Sequence, residues 1–171
     1  MVQAAVVWYR ELGMPSDRTV RDCGPADRDW IRQVLEEHWG GTTMMIRDRE
    51  FDCLSLPALT TFNREGILIY RPSEPVEIIL IEALTTGSGV GAALLDALVQ
   101  QLQVAKKTAV RVTTTNDNTD ALCFYQKRGF RLVELRVGAV DRARHLKASI
   151  PLTGARGIAI HDELELELVI R

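Results

Sequence analysis

The chain lacks the marks of several functional classes. Its 3 cysteines, at positions 23, 53 and 123, are odd in number and form no Cys-x-x-Cys pair. That pattern excludes a disulfide scaffold or a zinc ribbon and suits reduced thiols. Its 3 histidines, His38, His145 and His161, share no ligand spacing, so no metal is expected. Lys and Arg number 21 against 23 Asp and Glu, a formal net charge of −2, and without a basic excess nucleic acid is an unsuitable partner. No apolar run reaches the ~20 residues of a membrane helix, and the apolar stretch 4–9 has no basic leader. These absences predict a cytoplasmic protein with no membrane and no nucleic-acid partner. What is present, 171 residues that are 46% hydrophobic, suffices for one core, with no repeat or linker to divide it. Residues 1–18 are expected to form an N-terminal extension, loosely ordered or a packing strap, and 19–171 a single domain.

The most informative stretch is 85–92, Thr-Thr-Gly-Ser-Gly-Val-Gly-Ala. Before it, 76–84 reads as a buried strand. After it, Leu94, Leu95, Leu98 and Leu102 recur at helical spacing. Glycines at a strand-to-helix turn let the backbone approach a ligand, and the N–H groups and positive dipole end of the helix favour a phosphate. Gly87, Ser88, Gly89, Val90, Gly91 and Ala92 are therefore candidate pyrophosphate-binding residues. One strand further on, 109–115 alternates and is β-branched. Asn118 is a good N-cap for a helix running to residue 128, and Gly129 supplies its stop. On that helix Asn118, Ala121, Leu122 and Tyr125 share a face, leaving a gap at Ala121 between an amide and a phenol.

Together the two segments resemble the GCN5-related N-acetyltransferase (GNAT) family, whose signature is Arg/Gln-x-x-Gly-x-Gly/Ala followed by Asn-x-x-Ala-x-x-Phe-Tyr-x-x-x-Gly-Phe. Here the second half stands as Asn118-x-x-Ala121-x-x-Phe124-Tyr125-x-x-x-Gly129-Phe130. The resemblance implies an α/β (α+β) fold, with a mixed, largely antiparallel sheet of about seven strands and about four flanking helices. It implies acetyl-CoA as cosubstrate, its pyrophosphate on residues 87–92 and its pantetheine arm along Ile81 and Ala83. Asn118 would bond that arm, and Tyr125 would stand beside the sulfur as proton donor. Thr86 departs from the pattern, standing just before Gly87 where the family has Arg or Gln.

The implied reaction is attack of a primary amine on a thioester. An amine of pKa near 10.4 is neutral about once in 2,500 molecules at pH 7, which costs about 4–5 kcal/mol, so a base must take its proton. Glu82, near the end of the strand at 76–84, is the first candidate and Glu77 the second. The family places its acceptor, a small molecule or peptide, between the loop after the first helix and the loop before the last strand. That points to Trp39 and to the basic helical segment in 138–161 with Arg142 and His145. A homodimer is compatible with this reading. Elsewhere strands are expected near 19–23, 58–62, 66–71 and 130–137, a first helix over 25–38, and a closing half-exposed antiparallel strand over 163–170. Two alternatives stay open. One is a non-catalytic acyl-CoA-binding or interaction protein on the same scaffold. The other is a dinucleotide-binding oxidoreductase, since Gly87-x-Gly89-x-x-Ala92 also fits that fingerprint.

Overall fold

The computed structural model describes residues 19–154 and 156–170; the expected extension over 1–18 lies outside them. Seven strands form one sheet in the order β1-β4-β5-β6-β7-β9-β8, and β2 and β3 form a separate hairpin. The strands are β1 Val20–Asp22, β2 Thr43–Ile46, β3 Arg49–Asp52, β4 Ala58–Thr61, β5 Gly66–Arg71, β6 Val76–Ala83, β7 Ala109–Thr115, β8 Arg131–Arg136 and β9 Glu163–Val169. The helices are α1 Arg28–Trp39, α2 Val90–Val104, α3 Thr119–Lys127 and α4 Ala139–Leu146. Every pairing in the sheet is antiparallel except β6 with β7. That topology removes the oxidoreductase alternative, because a dinucleotide fold needs a mostly parallel sheet with crossover helices.

The period-2 alternation of the strands divides the core into two layers. Val76, Ile78, Val110, Val112 and Leu166 face α2 and α3, meeting Leu94, Leu95, Leu98 and Tyr125. Ala58, Ile67, Ile69, Ile79 and Leu80 pack against Ile31, Val34 and Leu35 of α1 and Met44, Ile46 and Phe51 of the hairpin.

The closing strand departs from expectation. β9 lies inside the sheet, paired on both sides, and Glu163 and Glu165 are buried. The reason is a set of arginines. Glu165 meets Arg47 and Arg111 at 3.0 Å and Arg136 at 3.2 Å. Glu163 accepts from the Arg47 amide and from Arg136. Arg47 stands in the β2–β3 turn, so this turn is pinned over the carboxylates of the sheet. Glu77, the second candidate base, joins the same network, held by Arg47 and by Arg71, whose Nη2 is 2.8 Å away. Buried charges persist only when paired in this way.

Candidate active site

The site begins where the two parallel strands part. β6 and β7 pair from Val76↔Val110 to Ile78↔Val112 and no further. On its other edge β6 carries a bulge: Tyr70 faces Ile78 and Ile69 faces Leu80, leaving Ile79 as an extra residue. A bulge bends its strand and increases local twist, which carries β6 away from β7. The opening holds a cavity of about 180 Å³, walled by Ile79, Leu80 and Ile81 on one side and residues 112–115 on the other.

At the top of β6 the chain turns into α2. Gly87 and Gly89 have φ of +75° and +81°, values that L side chains rarely adopt, and Gly89 is the N-cap. The Ser88 hydroxyl donates to the Thr85 carbonyl at 2.7 Å and tightens the turn. The first helical bond runs from the Ala93 amide to the Gly89 carbonyl, which leaves the preceding N–H groups, including those of Gly91 and Ala92, without a helical partner. This end of α2 therefore offers an anion both backbone donors and a positive dipole end. Thr86 is exposed on the turn and adds no charge.

α3 closes the opposite wall. Asn118 caps it, its side-chain oxygen accepting from the Ala121 amide at 3.1 Å, and Asn118, Ala121 and Tyr125 all line the cavity. Tyr125 is held by Phe124 and Phe130, whose ring centroids lie 5.1 and 5.3 Å away. Burial pushes its hydroxyl well above the usual phenol range, so it stays protonated at neutral pH.

Glu82 lies next to the end of β6. It accepts from the Trp39 indole N–H at 3.0 Å, and His38 Nδ1 lies 3.4 Å from its other oxygen. Trp39 itself lines the cavity. The last turn of α1 thus delivers one side chain that both walls the cavity and orients the candidate base. The sequence-predicted residues do not all converge. Arg142 and His145 are exposed on α4 and are not among the residues lining the cavity. Arg144 folds the segment after α4, donating to the carbonyls of Pro151 and Ile160.

Sequence reasoning missed Met44, Met45, Ile46 and Glu163, which also line the cavity. The β2–β3 hairpin turns through Arg47 and Asp48, both at positive φ (53° and 56°). A two-residue hairpin turn of that kind is normally signalled by Asn-Gly or Asp-Gly, and Arg-Asp gives no such sign. Among the described residues no His, Cys, Asp and Glu group could hold a metal ion, and no helix is long and apolar enough to cross a membrane.

A parted strand pair, a glycine turn at its end and a phenol on its wall give the arrangement that the resemblance to acetyltransferases implied. Comparison with known proteins agrees. The family model described as "Acetyltransferase (GNAT) family" matches residues 76–130, the span from β6 to Phe130. Two Bacillus subtilis (strain 168) proteins, YxbD and YdhI, are similar. YxbD is 35% identical over 144 residues, covering 81% of this chain and 91% of its own. YdhI is 34% identical over 145 residues, covering 82% and 91%. Among solved structures, a Bacillus subtilis acetyltransferase in complex with CoA superposes with a TM-score of 0.64 at 15% identity, covering 90% of this chain and 99% of that one. The ribosomal-protein-S18-alanine N-acetyltransferase from Escherichia coli gives 0.62 at 14%, covering 89% and 93%. The chain belongs to the GNAT acetyltransferase family.

Proposed function

We propose that this protein is an acetyl-CoA-dependent N-acetyltransferase that moves an acetyl group directly to a primary amine, working in the cytoplasm. The observation that carries the reading is the cleft between β6 and β7, with the donor-rich start of α2 at one end and Asn118 and Tyr125 on its wall. The residues fit the cosubstrate. The amides at the start of α2 would hold a pyrophosphate, and the backbone of Ile81 and Ala83, with no partner on the β7 side, would pair a pantetheine arm. The Asn118 amide nitrogen would donate to that arm while its oxygen caps α3.

The residues then divide the proton work. Glu82, oriented by Trp39, takes the proton of the incoming amine, directly or through one water. As the N–C bond forms and the C–S bond breaks, Tyr125 supplies a proton to the sulfur and water restores it. The binding-protein alternative draws on Thr86 and on the commitment of Glu82 to Trp39. Amine-dependent thiol release from acetyl-CoA separates the two readings. Release together with an N-acetylated product supports transfer, whereas tight acetyl-CoA binding without release favours the binding protein.

A further inference from the structure

We infer that the acceptor carries its amine on a neutral, aromatic body with no carboxylate beside the amine, an inference that rests on the N-acetyltransferase reading above. The acceptor-side wall is apolar and polarisable, built from Trp39, Met44, Met45, Ile46 and Leu80. Thioethers and an indole favour an aromatic ring. The one charged residue among those lining this cavity, Glu163, is acidic. Glu82, beside the cavity, is bound to Trp39 with His38 at 3.4 Å, and none of the residues lining the cavity is Lys, Arg or His.

The neighbouring arginines are already paired. Arg136 lies on Glu163 and Glu165, Arg47 on Glu77 and Glu165. The Lys147 ammonium donates to the Thr43 carbonyl at 3.0 Å. An ammonium entering this cavity meets carboxylates. An α-carboxylate would enter beside Glu163 with no cation among the lining residues to receive it, and like-charge juxtaposition is how a site rejects a ligand. The small volume, about 180 Å³ shared with the reacting end of the cosubstrate, further favours a single ring on a short alkyl arm.

The test uses the full-length protein with acetyl-CoA and four amines: phenethylamine, L-phenylalanine, L-phenylalaninamide and putrescine. Phenethylamine and phenylalanine differ only by the carboxylate, and the amide restores its bulk without its charge. The expected kcat/KM for phenethylamine is at least tenfold above that for phenylalanine, with the amide closer to phenethylamine. In Met45→Arg, which sets a cation in the wall, the ratio should narrow at least threefold. Equal or better use of phenylalanine overturns the inference while leaving the activity standing, and points to Arg142 and His145 as carboxylate partners. Preference for putrescine overturns the aromatic body. No transfer to any amine, despite calorimetric binding of acetyl-CoA, removes the activity itself and this inference with it.

Discussion

At the scale of single residues, the proposed mechanism gives Tyr125 and Glu82 opposite halves of the proton transfer, and their variants should differ in kind. Tyr125→Phe keeps the ring between Phe124 and Phe130 and removes one hydroxyl. Turnover should fall by about 10²-fold with acetyl-CoA affinity nearly intact, because a general acid acts in the transition state. A change confined to KM for acetyl-CoA would make the phenol a positioning group. Glu82→Gln should lower kcat/KM by about 10²-fold at pH 7 and lose less as pH rises and the free amine becomes abundant. A pH-independent loss would assign Glu82 to binding. The sequence offered Glu82 as the first candidate base only from its place near the end of β6. Its indole partner came from α1, 43 residues earlier in the chain, a contact that no periodicity announces.

At the scale of elements, the glycine turn and α2 form the unit proposed to face the cosubstrate. Gly66 of β5 supports it from behind: a Cβ there would lie 2.5 Å from Val90 Cγ1 and 2.6 Å from the Glu82 carbonyl. Gly66→Ala should therefore displace the first turn of α2 and weaken CoA binding by about tenfold or more, or about 1.4 kcal/mol, measured by calorimetry. Unchanged affinity in a folded variant would show that the helix start tolerates the shift. Elements with strong local signals were legible from the sequence. β5 and β7 fall at the expected residues, and α3 runs between its Asn118 cap and the Gly129 stop. The β2–β3 hairpin was not legible, because Arg47-Asp48 gives no turn signal and its partner network spans more than 100 residues of sequence. β9 was found as a strand but placed half-exposed, since alternating Glu and Leu looks solvated until the arginines that cover the glutamates are known.

At the scale of the whole molecule, two ion networks tie distant segments of the chain together. Asp27, at the start of α1, is buried and accepts from Arg21 at 2.7 Å, from Arg64 at 2.9 Å and from the Gly24 amide at 2.9 Å. The Arg21 bond first, with the Gly24 and Arg64 bonds, holds its carboxyl far below the usual range against the opposing cost of burial. A depressed folded pKa contributes stability that is full above the unfolded value of about 4 and is lost as pH falls through the folded one. Asp27→Asn should cost about 2 kcal/mol at pH 7 and flatten the decline in stability below pH 5, read from urea midpoints. An unflattened decline would place the acid sensitivity elsewhere. Arg136→Ala, which strips a partner from the buried Glu163 and Glu165, should cost about 3 kcal/mol and lower Tm by roughly 6–12 °C. The central claim is that this scaffold transfers an acetyl group to an amine at the β6–β7 cleft. Its most direct test is thiol release from acetyl-CoA with and without phenethylamine, with the product weighed by mass spectrometry. The account predicts amine-dependent release and one acetyl group on nitrogen, both suppressed about 10²-fold in Tyr125→Phe. Acetyl-CoA binding without amine-dependent release by any primary amine would contradict it.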